Sequence, residues 1–116
     1  MSRRDDDRLA DVIASAEAIA SHLKRGGLED GLVFDAVRVR LIEIGEAVKD
    51  IDPDVLEEEP AIPWRDVAAM RNHLAHRYFD TTHSIVQGTV DHDLPPLLAA
   101  ARRLLDRIAT ATEADT

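Results

Sequence analysis

Gly31-Leu32-Val33-Phe34-Asp35-Ala36-Val37-Arg38-Val39-Arg40-Leu41-Ile42-Glu43-Ile44-Gly45-Glu46-Ala47-Val48-Lys49-Asp50 decides the fold class. Phe34, Val37, Leu41, Ile44 and Val48 recur three and four apart, which places them on one face of an α-helix. No strand repeat accommodates that spacing. Gly45 lies inside this helix at a cost of about 1 kcal/mol against alanine. The sequence therefore predicts that a neighbouring helix approaches closely there.

The same spacing extends in both directions. Upstream, Leu9, Val12, Ile13, Ala16, Ala20 and Leu23 predict a helix over about residues 5–25, with Ile19 widening its apolar face. Asp5, Asp6 and Asp7 would sit at its positive end, and Gly26-Gly27 would stop it. Downstream, Pro53, Pro60 and Pro63 bracket Glu57-Glu58-Glu59, which reads as an exposed loop holding at most one helical turn. A third long helix starts at Pro63 and carries Trp64, Val67, Met70, Leu74 and Tyr78 along one face, with Trp64 as a core anchor at its start. Residues 80–93 are weaker and predict a short helix around 84–90. The last helix opens at Asp93 with Pro95 and Pro96 in its first turn, then carries Leu97, Leu98, Ala101, Leu104, Leu105 and Ile108. The expectation is an all-α, antiparallel four-helix bundle with an additional short helix. It forms a single domain over residues 1–116, with a core over about 5–110 and a polar tail over 111–116.

Composition narrows the function. The 116 residues include no cysteine, which removes disulfides, thiolate nucleophiles and zinc–thiolate sites and fits a reducing compartment. No run approaches the roughly 18 apolar residues of a membrane span. The charged N-terminus has no apolar stretch behind it, so no secretory signal is read there and a soluble, cytoplasmic protein is expected. The net charge of −9 opposes broad binding to nucleic acid, so any RNA chemistry must rest on a local basic patch. Lys24 and Lys49 are the only lysines, and the remaining cations are arginines, suited to bidentate phosphate contacts.

Reactive side chains concentrate in Arg71-Asn72-His73-Leu74-Ala75-His76-Arg77-Tyr78. On an ideal helix Arg71 and His76 diverge by about 140°. One copy of the chain then makes no compact site. Two copies across a two-fold axis, or a helix end near His76, would bring the groups together. The two helices carrying Gly45 and Arg71 are the expected dimer surface. An arginine five residues before a histidine is a weak signal alone. The wider string Pro63-Trp64-Arg65-Asp66-Val67-Ala68-Ala69-Met70-Arg71-Asn72-His73-Leu74-Ala75-His76-Arg77-Tyr78 is far more specific, and it resembles the signature of HepT-like proteins of the HEPN superfamily. The hallmark there is Arg-x4-His-x-Tyr with asparagine after the arginine. Arg40-Leu41-Ile42-Glu43-Ile44-Gly45-Glu46-Ala47 resembles the second helix of that family, and Asp93-Leu94-Pro95-Pro96-Leu97 the start of its last helix. The resemblance spans roughly residues 9–108.

The resemblance implies the toxin of a type VII-like toxin–antitoxin system, a homodimeric RNA endonuclease that needs no metal or other cofactor. The ribose 2′-hydroxyl attacks the adjacent phosphate, leaving a cyclic phosphate and a 5′-hydroxyl. Arg71 and His76 are the implied catalytic residues, with Asn72 and His73 supporting them. Tyr78 is the implied site at which a minimal nucleotidyltransferase antitoxin attaches AMP. The side chains suit these roles. Histidine moves protons near neutral pH, arginine offsets charge on phosphoryl oxygens, and Asn72 can orient either.

Plainer readings stand beside these. Tyr78 could close an apolar stripe, and His73 could be structural. Glu43 and Glu46 could pair with Arg71 or Arg40, or lie exposed. His22, His83 and His92 read as surface residues. His73-x-x-His76 and Asp80-x-x-His83 have metal-ligand spacing, but no Glu-x-x-His occurs for a bundle metal site. The alternative function is a non-catalytic helical binding module that partners a nucleotidyltransferase.

Overall fold

The computed structural model describes residues 4–76 and 79–114. They form α1 (Asp5–Leu23), α2 (Gly31–Lys49), the short α3 (Pro53–Leu56), α4 (Trp64–Ala75), α5 (Phe79–Gly88), a π-helical turn (Thr89–Asp93) and α6 (Leu94–Ala114). No strand occurs among the described residues, and the all-α expectation stands.

The apolar stripe of α2 is the centre of the core. Phe34, Val37, Leu41, Ile44 and Val48 are all buried, together with Leu9, Val12, Ala16 and Ile19 of α1, Met70 and Leu74 of α4, Val86 of α5, and Leu97, Ala101 and Leu104 of α6. Burying one such side chain contributes about 1.5–3 kcal/mol. α2 packs against α1, α4 and α5, and α1 also packs against α6. The Asp52 amide donates to Asp5 Oδ1 at 3.3 Å, which puts the end of α2 beside the start of α1 and makes the pair antiparallel. Asp30 opens α2 by accepting from the Leu32 amide at 2.9 Å, satisfying one of the unpaired donors of its first turn.

Four expectations are corrected. Glu59 is not part of an exposed acidic loop. It is 8% exposed, because its carboxylate accepts from Arg103 Nε at 3.1 Å, Arg103 Nη2 at 2.7 Å and Arg107 Nη2 at 2.8 Å. Its backbone carbonyl also accepts from Trp64 Nε1 at 3.0 Å, so one residue ties α6 to the start of α4. Residues 79–93 hold more helix than expected, and they run into α6 without a break. Pro95 and Pro96 have no N–H and cannot complete α-type bonds to the carbonyls of Asp91 and His92. The backbone widens at that point, and the Leu94 amide donates to Thr89 O, five residues back. α6 also continues to Ala114, past the expected start of a polar tail. His83 is not a free surface residue either. Its ring stacks on Phe34 with centroids 5.1 Å apart and planes 7° from parallel.

Candidate functional site

α4 carries the reactive cluster, and α2 fixes where α4 lies. A Cβ on Gly45 would stand 3.1 Å from Val67 O and 3.2 Å from both the amide N and Cβ of Arg71. The glycine is there because the backbone of α4 lies against it, as its mid-helix position suggested. One residue later, Glu46 forms an ion pair with Arg71 Nε. Arg71 Nη1 donates to Asn72 Oδ1 at 3.1 Å. The Arg71 side chain is 43% exposed, and its guanidinium is held by these two groups at Nε and Nη1. Three of its five N–H donors remain without a partner among the described residues. Glu43 pairs with Arg40 at 2.9 Å instead.

The third long helix is shorter than the apolar pattern implied. α4 ends at Ala75, and His76 follows with φ −102° and ψ 82°. The ideal-helix angle between Arg71 and His76 therefore does not apply, because His76 has left the helix. Its amide still donates to Asn72 O at 3.1 Å, while its side chain is exposed. No hydrogen bond or ion pair joins Arg71 to His76 within the chain among the described residues. Tyr78, the expected modification site, lies outside the described residues, as does Arg77.

His73 lies apart from this group. Two positions along a helix turn it about 200° from Arg71. It lines a cleft of about 540 Å³ with Ile62, Met70, Ile85, Thr89 and Leu97, between α4 and the π turn. Among the described residues no cluster of three His, Asp or Glu is placed to hold a metal ion, and no helix is long and apolar enough to cross a membrane.

Arg38 was missed in the sequence. It donates from Nε at 3.0 Å and from Nη2 at 2.6 Å to the Leu74 carbonyl, in the last turn of α4. The two residues are 36 positions apart, and only the packing of α2 on α4 reveals the contact. The one signal available was an arginine seven residues before Gly45, on the same line of α2.

A family model described as ribonuclease HepT-like matches residues 9–104. The chain is 34% identical over 108 residues to a protein of Thermococcus cleftensis named probable ribonuclease HepT, covering 90% of this chain and 98% of that one. A protein of Methanocaldococcus jannaschii, named provisionally as an RNase, is 31% identical over 104 residues, 86% of each chain. Another, also named provisionally as an RNase, from Caldanaerobacter subterraneus, is 29% identical over 103 residues, 85% of this chain and 92% of that one. No solved structure matches the chain significantly.

Proposed function

Since this chain belongs to the HepT-like ribonuclease family, we propose that it is the RNA-cleaving toxin of a toxin–antitoxin pair. It works as a homodimer and cuts within RNA without a metal. The observation that carries this reading is an arginine oriented by Glu46 and Asn72, with donors left over, one turn before an exposed histidine at a helix end.

The chemistry follows from those groups. Arg71 receives the scissile phosphate on its unpaired donors and offsets the charge that builds on the phosphoryl oxygens. Asn72 keeps the guanidinium plane in position. A neutral His76 takes the proton of the 2′-hydroxyl as that oxygen attacks phosphorus. The protonated His76 of the second copy gives a proton to the departing 5′-oxygen. The products are a 2′,3′-cyclic phosphate and a 5′-hydroxyl.

The second copy docks on α2 and α4. Leu32 is 82% exposed and Val39 50%, the two large apolar side chains left open to solvent among the described residues. They lie seven apart on the α2 line that continues to Glu46, and so lead to Arg71. A two-fold axis near this line gives both copies one cleft.

The test is incubation of the purified chain with RNA in EDTA. Fragments ending in cyclic phosphate and beginning with 5′-hydroxyl are expected. Intact RNA across substrates would leave the alternative, a non-catalytic module for a nucleotidyltransferase partner, which the charge of −9 favours because it repels RNA at long range.

Regulation falls to Tyr78. AMP attached there by a minimal nucleotidyltransferase adds a phosphate two positions after His76 in the sequence, and its negative charge competes with RNA for the Arg71 guanidinium. Tyr78→Phe should abolish AMP transfer and leave RNA cleavage intact. Mass spectrometry of the co-expressed pair checks it, and undiminished transfer onto the Phe variant would refute this assignment.

A further inference from the structure

α4 stops at Ala75, and the point at which it stops decides where His76 stands. The last carbonyls of a helix have no donor from within their own helix. At this end the Asn72 carbonyl is taken by the His76 amide, and the Leu74 carbonyl by both donors of the Arg38 fork. A continuing helix would have needed that Leu74 carbonyl for the amide four residues on. The Leu74 side chain is itself fully buried, so the residue is held by its side chain in the core and by its carbonyl in the fork.

We propose that Arg38 is a positioning residue for His76 in RNA cleavage: its grip on the Leu74 carbonyl pins the end of α4 and sets the place from which His76 works. The proposal rests on the ribonuclease reading. Arg38 and Gly45 lie on one line of α2, seven residues apart. Gly45 touches the backbone of Arg71, and Arg38 holds the carbonyl of Leu74. Both ends of the Arg71–His76 segment are thus registered against one rigid helix. The division of labour is asymmetric. Arg71 is steered by Glu46 and Asn72, neither of which hydrogen-bonds or ion-pairs with Arg38, so phosphate binding does not depend on the fork. Proton transfer does, because a misplacement of about 1 Å can cost about 100-fold in rate.

The experiment compares the full-length wild type with Arg38→Lys and Arg38→Met. Lysine keeps the stem and the charge but offers no planar fork, and methionine keeps only the stem. Steady-state cleavage of an oligoribonucleotide in EDTA is measured beside amide hydrogen exchange. Both variants should lose about 10- to 100-fold in kcat with KM changed less than about threefold. The His76 amide should exchange about tenfold faster or more, while the core of α1 keeps its protection. Wild-type kcat in the Lys variant would overturn the proposal. So would a rise in KM at constant kcat, which would make Arg38 a phosphate contact. Unfolding of both variants would overturn it too, since the role would then belong to the fold. If the wild type cleaves no RNA, the ribonuclease reading fails by itself, and His76 exchange still decides whether Arg38 sets the helix end.

Discussion

His76→Ala should lower the rate of RNA cleavage by about 10²- to 10⁴-fold, the range for removing a positioned proton carrier. Its ring is exposed and lies beyond the last turn of α4, so the fold loses almost nothing with it. Arg71→Ala should cost about 10²- to 10³-fold, the range for removing one charge-stabilising donor. Part of that loss should appear as weaker binding, because the guanidinium meets the phosphate before the reaction as well as during it. Arg71 and Glu46 are both about half exposed, so releasing Glu46 from its ion pair costs the fold at most about 1 kcal/mol. Unchanged melting temperatures beside lost cleavage would separate catalysis from stability. In cells, growth arrest by the wild type should vanish in both variants. Arrest that persists in both would end the nuclease reading. A mixed dimer with one His76→Ala subunit sharpens the mechanism, for full activity there would rule out separate acid and base histidines.

Glu59→Gln should be the most damaging single change to the fold among the polar positions. The Glu59 carboxylate accepts three hydrogen bonds from Arg103 and Arg107, and glutamine offers one oxygen in place of two. Breaking a buried ion pair from one side typically costs about 3–5 kcal/mol. Arg103 and Arg107 are 54% and 44% exposed and can rehydrate, so a loss nearer about 2 kcal/mol is expected. For a domain of this size that lowers Tm by roughly 6–12 °C. The acid response gives a second signature. The hydrogen bond from Arg103 holds the Glu59 carboxyl at about 2 against an ordinary 4.5, with burial opposing the shift and Arg107 adding to it. Its folded value lies below its unfolded one, so the stabilisation is complete above about pH 4.5 and disappears as pH falls through about 2. Denaturant titrations from pH 7 to 2 should show a slope in that window that the Gln variant lacks. Equal midpoints for the two proteins at pH 7 would contradict the argument.

Much of the bundle was legible because one period dominates it. All five stripe residues of α2 are buried, and a glycine that weakens an isolated helix is explained by the backbone lying on it. The reading failed where distant residues override local pattern. Glu57, Glu58 and Glu59 look alike in sequence, and only two arginines more than 40 positions later separate the third from its neighbours. Residues 80–93 looked weak, and at Thr89–Asp93 a π turn shifts the spacing of apolar positions away from the α-helical period. Within the candidate site the residue types were legible and their placement was not. Periodicity carried α4 through Tyr78, whereas the helix stops at Ala75, beside a fork from α2 that no local pattern encodes.

The carboxylate seated on Arg71 also bears on which phosphates are welcome. Glu46 takes the Nε edge, and an arriving backbone phosphate can use the Nη side without evicting it. The standing negative charge then remains a near neighbour of whatever binds. An internucleotide linkage carries one charge and is met by the guanidinium. A terminal phosphomonoester carries close to two and is repelled the more strongly by Glu46. That arrangement favours the interior of a strand over its phosphorylated ends.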